Sequence, residues 1–102
     1  MDYIERIEAL GACAPALDWL RSEQYPSLQA AWDACPRSNW MLWLLSTMDH
    51  PAYPTAYAAA RDARAAARDA RAAVANAAYA AAYDAVRAAA VRTVVPVAPV
   101  LP

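Results

Sequence analysis

The feature that most constrains the fold is an alanine-rich segment, residues 56–91. Of its 36 residues, 21 are Ala and none is Gly or Pro. Because Ala has the highest helix propensity and no helix breaker interrupts the segment, we predict one long helix over residues 55–93. The segment would extend about 54 Å as a straight helix, whereas a globule of this chain length is about 33 Å across. The helix must therefore protrude, fold back near Val74-Ala75-Asn76, or pair with a second chain.

The preceding residues, 1–50, predict a small Trp-rich head of three or four short helices, which makes the whole protein all-α. Asp2, Ser27 and Ser38 are residues that favour helix N-caps, and each precedes an apolar run. The last run, Asn39–Met48, is apolar on all sides and is expected to form the buried centre of the head. We expect the four Trp residues and Tyr25 to form its core, since the chain has no Phe.

Proline marks the two ends of the predicted long helix. Residues 51–54 carry two prolines and predict a linker, after which Thr55 is a suitable N-cap. Residues 94–102 predict an extended tail, because proline recurs at every third position. That period matches polyproline II, so Pro96, Pro99 and Pro102 are expected to share one face.

Charge is distributed unevenly along a chain whose formal net charge is −1 and which has no Lys. Residues 1–50 hold three Arg and seven acidic residues, whereas residues 51–102 hold six Arg and three Asp. The balance argues against a globally basic nucleic-acid binder. No apolar run approaches the roughly 20 residues of a membrane span, and the N-terminus lacks the basic start of a signal peptide. We therefore expect no membrane association and a cytoplasmic protein.

Four arginines fall within an arc of about 80° on the predicted helix, and Tyr79 and Val86 prolong the stripe. None of them has an acidic residue three or four positions away, so their partners must lie elsewhere. Guanidinium groups suit bidentate contact with carboxylate or phosphate, which predicts a partner-binding surface. The alternative is a solvated face or pairing with the acidic head. The candidate partner-binding residues are Arg61, Arg64, Arg68, Arg71 and Tyr79.

The opposite arc of the predicted helix carries small residues that allow another helix to approach closely. A near-repeat of seven residues, 61–67 and 68–74, also favours helix pairing. This arc predicts either a homodimer seam or a packing face against the head. An ice-binding face would need regularly spaced Thr, but the positions at eleven-residue steps after Thr55 are all Ala. The candidate seam residues are Ala63, Ala66, Ala70, Val74, Ala77 and Ala81.

Few residues suggest chemistry. Cys13 and Cys35 are expected to be buried thiols, and together with the single His50 they supply too few ligands for a zinc site. The chain has one Gly and therefore no Gly-rich phosphate loop, and it has no nucleophile elbow. We predict no catalytic residue, no cofactor and no metal, and expect a protein that is not an enzyme.

The pattern AC-x3-L-x-WL (residues 12–20) followed by AW-x2-C-x4-WMLWLL (residues 31–45) and a long Ala/Tyr/Arg helix resembles a group of small alanine-rich proteins encoded by bacteriophages and other mobile elements. The resemblance implies a phage setting and carries no catalytic residues. We expect a protein-interaction module, such as a phage inhibitor of a host or defence protein, for example a CRISPR effector. The alternatives are a self-associating helical dimer and an Ala-rich helix that binds nucleic acid or ice.

Overall fold

A computed structural model describes residues 2–69 and 76–102, with side chains described for residues 2–68 and 82–102. The described residues form helices and no strand, which confirms the all-α prediction. No helix in these two ranges combines the length and apolar character needed to cross a bilayer. The helices are α1 (Tyr3–Ala9), α2 (Ala14–Glu23), α3 (Leu28–Ala34), α4 (Ser38–Thr47), α5 (Tyr53–Asp69) and α6 (Asn76–Val94).

Two of the predicted N-caps form as expected. The Asp2 carboxylate accepts a hydrogen bond from the Glu5 N–H at 2.8 Å, at the start of α1. The Ser27 hydroxyl accepts one from the Ala30 N–H at 3.1 Å, at the start of α3. Both bonds satisfy backbone donors that have no partner within the helix.

The predicted Ser38 cap is wrong. Arg37 occupies the N-cap position of α4 without a side-chain cap bond, and Ser38 is the first helical residue. Asp84 of α6 provides the acceptor instead, since its Oδ1 receives the Ser38 N–H at 3.3 Å and the Ser38 hydroxyl at 3.2 Å. The start of α4 is thus capped by a residue distant in sequence.

Helix α5 begins at Tyr53, earlier than the predicted Thr55 cap, and part of the predicted linker is helical. Pro54 lies in the first turn, where its missing N–H would have had no partner within the helix. The residues before α5 form a turn in which His50 Nδ1 accepts a hydrogen bond from the Ala52 N–H at 3.1 Å. The side chain of His50 therefore has a local structural role.

The long helix over residues 55–93 is not confirmed as a single straight helix, and of the arrangements left open for it the described residues show the fold-back. Helices α5 and α6 pack against each other and both pack against α4, which a single straight helix cannot do. Folding back buries small residues from both helices in the core, where Ala60 is 1% exposed and Ala88 and Val91 are fully buried. The apolar burial favours this arrangement over a protruding helix. The predicted bend at Val74-Ala75 lies outside the described residues, and Asn76 begins α6.

The core has two clusters. The larger one joins α4 to α5, α6 and the start of the tail, with Leu45, Val91 and Val95 among its buried members. The smaller one joins α1, α2 and α3 through Ile7, Leu17, Leu20 and Ala31. Partly buried Trp19, Trp43 and Leu101 pack against both clusters, and they therefore connect the N-terminal helices to the rest of the chain.

The C-terminal tail, residues 95–102, contains no helix and lies against α3. Gln29 donates from Nε2 to the Pro96 carbonyl at 3.0 Å and accepts at Oε1 from the Ala98 N–H at 2.7 Å. Trp32 Nε1 donates to the Val95 carbonyl at 2.8 Å. These three bonds hold the tail backbone on the surface of α3.

The three-residue period of the tail is visible in its burial, but prolines do not form the docked face. Val95, Ala98 and Leu101 pack against the core, whereas Val97 and Val100 are exposed. Pro99 is buried while Pro96 and Pro102 are exposed, so the three prolines differ in burial, and the shared polyproline face stays a prediction. The two Gln29 bonds orient the Val95/Ala98/Leu101 side toward α3.

Candidate functional site

Helix α5 presents an exposed face of Tyr57, Arg61, Arg64 and Arg68, which we call the arginine face. The buried side of α5 lies about 90° around the helix and is fixed by Ala56 and Ala60, which are 0% and 1% exposed. Positions four, seven and eleven residues after Tyr57 lie above one another on a helix, so all four side chains point the same way. Tyr57 is 51% exposed, an unusual state for a large aromatic side chain.

The arginine face is not neutralised by the rest of the described chain. Arg61 Nε lies 3.8 Å from Asp62 Oδ1, but both side chains are well exposed and the contact is weak. Among the described side chains, neither Arg64 nor Arg68 forms an ion pair. Of the other predicted partner-binding residues, Arg71 lies outside the described residues, and Tyr79 belongs to α6 with its side chain outside the described ones.

The described charged contacts between the head and the basic half are made by residues outside the arginine face. Arg37 of the head pairs with Asp84 of α6 at 3.0 Å, which reverses the expected direction of charge. Arg92 near the end of α6 donates to the Cys35 carbonyl at 2.8 Å, at the C-terminal end of α3, where a cation is favourable. Docking of the helices therefore leaves Arg64 and Arg68 directed to solvent.

The predicted seam residues do not share one environment. Ala63 is half-buried within the chain, whereas Ala66 is exposed. Ala70 and Val74 lie outside the described residues, while Ala77 and Ala81 belong to α6 and their side chains lie outside the described ones. A dimer seam through these residues therefore stays a prediction.

A second candidate site is an apolar cavity of about 410 Å³. All four tryptophans of the chain contribute to its wall, although they come from three different helices. Sequence reasoning assigned these tryptophans to the core and did not predict a cavity, because their spacing follows no single helical period. The lining, which we call the tryptophan cavity, consists of Ile7, Gly11, Ala12, Cys13, Ala16, Trp19, Leu20, Leu28, Ala31, Trp32, Cys35, Asn39, Trp40, Met41, Trp43 and Leu44.

The tryptophan rings are tilted against one another and against Tyr25. The ring centroids of Trp19 and Trp40 lie 5.8 Å apart, and those of Trp19 and Tyr25 lie 5.3 Å apart. The Arg37 guanidinium lies 5.1 Å from the centroid of the Trp40 ring, within cation–π range. Trp32 is 3% exposed, whereas the other three tryptophans are only half-buried. The expectation of a Trp-centred core is thus met fully by Trp32 and in part by the others.

Both cysteines line this cavity as free thiols, but they differ in access. The expectation that both are buried is wrong for Cys13, which is exposed at the N-cap position of α2. Cys35 is buried, and its burial raises the pKa of the thiol, which opposes formation of the reactive thiolate. Within the described residues, no cluster of three or more His, Cys, Asp or Glu is placed to hold a metal ion.

Comparisons with protein families, curated proteins and solved structures found no significant match. The arginine face and the tryptophan cavity are the two features of the described chain that suggest a function.

Proposed function

We propose that this protein is a non-enzymatic interaction module whose arginine face binds an acidic surface on a partner protein. The observation that carries the proposal is a row of three exposed arginines on a helix fixed in the core, two of them without an ion pair among the described side chains. The proposed setting is the cytoplasm of a bacterial host. A phage inhibitor of a defence protein is one form that such a module takes.

The spacing of the arginines defines the partner's chemistry. Side chains three or four residues apart on a helix lie about 5–6 Å from one another, so Arg61, Arg64 and Arg68 form a ladder about 10 Å long. Carboxylates at the same spacing, as on one face of an acidic helix, match this ladder. Each guanidinium can then bind one carboxylate through two hydrogen bonds.

Tyr57, at the end of the arginine face, contributes binding energy that exposed ion pairs alone do not provide. Exposed ion pairs contribute only about 0–1 kcal/mol each, which is too little for stable binding by three of them. Tyr57 adds a half-exposed ring, whose burial excludes water from the adjoining guanidinium groups. Its neighbour Tyr53 packs on the core, and the ring centroids of Tyr53 and Tyr57 lie 6.2 Å apart. The exposed Tyr57 ring therefore contacts a ring that is itself held by the core.

A protein partner is favoured over nucleic acid by the size and charge of the surface. Proteins that bind duplex DNA strongly make about 6–10 phosphate contacts, whereas this ladder offers three arginines over about 10 Å. The chain as a whole has a net charge of −1, which gives no long-range attraction to a polyanion.

The test is affinity capture from a nuclease-treated bacterial lysate with four forms of the full chain: wild type, Arg64→Gln/Arg68→Gln, Arg64→Lys/Arg68→Lys, and Ala14→Glu/Ser22→Glu. The glutamine and glutamate variants have the same net charge, but only the former changes the arginine face. Ala14 and Ser22 are exposed residues of α2. We expect the glutamine variant to lose the partner, the lysine variant to bind it more weakly because it lacks the fork, and the α2 variant to retain it.

A captured partner supports the proposal only if it contacts the arginine face through acidic residues, as shown by crosslinking and by loss of binding when those residues are neutralised. Equal capture by the wild type and the glutamine variant contradicts it. If nuclease treatment removes the captured material, and the affinity of the protein for that material falls steeply with salt, the partner is a nucleic acid instead. If only the bait is recovered, and it forms a dimer that Ala66→Glu disrupts, the protein self-associates through the arc of small residues that carries the candidate seam.

A further inference from the structure

We propose that the tryptophan cavity is a binding site for a small, uncharged, predominantly apolar molecule that carries an aromatic ring. The cavity volume of about 410 Å³ falls within the range of about 300–1,000 Å³ that is typical of small-molecule sites. The cavity is partly open to the surface, so a ligand can enter it without rearrangement of the fold. The site is separate from the arginine face and does not depend on the function proposed above.

The walls exclude a charged ligand. Among the described side chains that line the cavity, none carries a charge, and the polar groups are the Asn39 amide, the thiols of Cys13 and Cys35, and the indole N–H groups of the tryptophans. A buried carboxylate, sulfonate or ammonium would lose its hydration without gaining an ion-pair partner. A neutral ligand has no such cost, and Asn39, which is exposed, can form one orienting hydrogen bond at the rim.

The tryptophans favour an aromatic ligand over a purely aliphatic one. Aromatic rings attract one another in tilted and offset arrangements by about 0.5–1.5 kcal/mol beyond the burial of their surface. Trp19 and Trp40 already pack in this way, with their rings tilted by 46°, and a ligand ring beside them extends the same arrangement. Aliphatic groups of Leu20, Leu28 and Leu44 complete the apolar wall.

The polar bonds around the cavity hold its walls in place. Trp32 is fixed by its bond to the Val95 carbonyl, and the end of α3 is fixed by the bond from Arg92 to the Cys35 carbonyl. The start of α4 is tied to Asp84. Because the walls cannot close, the apolar side chains that face the cavity lack dispersion contacts on that side. A bound ligand supplies those contacts.

Two fluorescent probes with the same aromatic scaffold test the proposal. N-phenyl-1-naphthylamine is neutral, whereas 8-anilino-1-naphthalenesulfonate carries one negative charge. We expect the neutral probe to bind the full chain with a stoichiometry of one, enhanced emission and quenching of tryptophan fluorescence. The sulfonate should bind at least about tenfold more weakly, a difference of about 1.4 kcal/mol, because its charge finds no partner in the cavity.

A matched pair of variants locates the site. Ala16 lines the cavity, whereas Ala14 lies on the same helix, is exposed and does not line it. We expect Ala16→Leu to weaken binding of the neutral probe at least about tenfold by filling the cavity, and Ala14→Leu to leave it unchanged. Equal affinity for the two probes, or equal affinity of the two variants, would overturn the proposal.

Cys13 provides a second test that leaves the sequence unchanged. Its exposed thiol should react with N-benzylmaleimide, a neutral aromatic reagent, while buried Cys35 remains unmodified in the folded protein. Because Cys13 lines the cavity, the attached benzyl group should occupy it and abolish binding of N-phenyl-1-naphthylamine. Undiminished binding by the singly modified protein would show that the probe binds elsewhere and would refute the site.

Discussion

Asp84 and Ser38 join helix α6 to the first turn of helix α4, although 46 residues separate them in the sequence. Ser38 is completely buried, and one carboxylate oxygen of Asp84 accepts hydrogen bonds from both its backbone N–H and its hydroxyl. The other carboxylate oxygen lies 3.0 Å from Arg37 Nε. A negative charge at a helix N-terminus also interacts favourably with the helix dipole, so Asp84 stabilises α4 in three ways.

Replacement of Asp84 should destabilise the fold through the two donors that it leaves unpaired. We expect Asp84→Ala to lower the free energy of unfolding by about 1–3 kcal/mol, measured by chemical denaturation, because the N–H and hydroxyl of Ser38 lose their acceptor. Asp84→Asn retains an acceptor oxygen and should cost less. Arg37→Gln removes the ion pair and the contact of Arg37 with the Trp40 ring but leaves both Ser38 bonds, and it should cost less than Asp84→Ala, since Arg37 is half exposed. Equal losses for Asp84→Ala and Arg37→Gln would contradict this role.

Two residues with positive φ at the ends of the first helices should respond in opposite directions to substitution. Gly11 follows α1 with φ 98°, and Gln24 ends α2 with φ 54°. We expect Gly11→Ala to destabilise the protein by about 1–2 kcal/mol through backbone strain alone, because the space around its Cβ position is open. Gln24→Gly should raise stability by up to about 1 kcal/mol, because it removes the same strain. Thermal denaturation of both variants tests this, and a neutral Gly11→Ala would contradict it.

The local features of the first helices could be predicted from sequence, because their causes lie within a few residues. The caps at Asp2 and Ser27 depend on side chains adjacent to the helix that they begin. The cap of α4 could not be predicted in this way, since the acceptor is on α6 and only the folded chain brings it to Ser38. Ser38 has the residue type of an N-cap but lies one position inside the helix.

Alkaline pH should destabilise the protein through the Cys35 thiol and the Tyr3 hydroxyl. Burial raises the pKa of the Cys35 thiol and of the Tyr3 hydroxyl above their ordinary values. The unfolded chain therefore loses these protons at a lower pH than the folded one, and stability falls as pH rises above the unfolded pKa of each group. Unfolding midpoints in denaturant should decrease above about pH 8.5, where an ordinary thiol begins to ionise.

Cys35→Ala and Tyr3→Phe should each reduce this pH dependence, whatever their effect at neutral pH. Tyr3→Phe also removes the bond from the Tyr3 hydroxyl to the Tyr25 carbonyl, 2.8 Å long, and should cost about 1 kcal/mol at pH 7. An unchanged slope between pH 8 and pH 10 in the double variant would show that other groups cause the loss.

Gln29 should control whether the C-terminal tail stays docked. Its amide forms two bonds to the tail backbone and also donates to Asp33 Oδ1 at 2.9 Å. Gln29→Met removes both bonds to the tail, whereas Gln29→Glu loses the donor to the Pro96 carbonyl but keeps an acceptor for the Ala98 N–H, so the methionine variant should loosen the tail more. Hydrogen exchange at the Ala98 amide measures this directly, and equal protection in the wild type and the methionine variant would contradict it.

The tryptophan cavity could not be predicted from sequence, and the sequence could not decide between the fold-back of α5 and α6 and the other two arrangements, for the same physical reason. Alanine indicates helix strongly but does not indicate which face is buried, since a methyl group is compatible with either environment. The arginine pattern did predict the exposed side of α5, because charged side chains almost never lie buried without a partner. Ala56 and Ala88 are buried in a cluster with residues of α4, and only the folded chain brings α4 next to them.

Neighbouring alanines of α6 offer a direct test of the fold-back. Ala88 is fully buried in the core shared with α4 and α5, whereas Ala89 is exposed. We expect Ala88→Leu to lower the free energy of unfolding by about 1–3 kcal/mol, because the larger side chain has no space between closely packed helices. Ala89→Leu adds the same atoms to solvent and should change stability by less than about 0.5 kcal/mol. In a protruding single helix both positions would tolerate leucine, so equal stability of the two variants in urea denaturation would contradict the packing of α6 on α4 and α5.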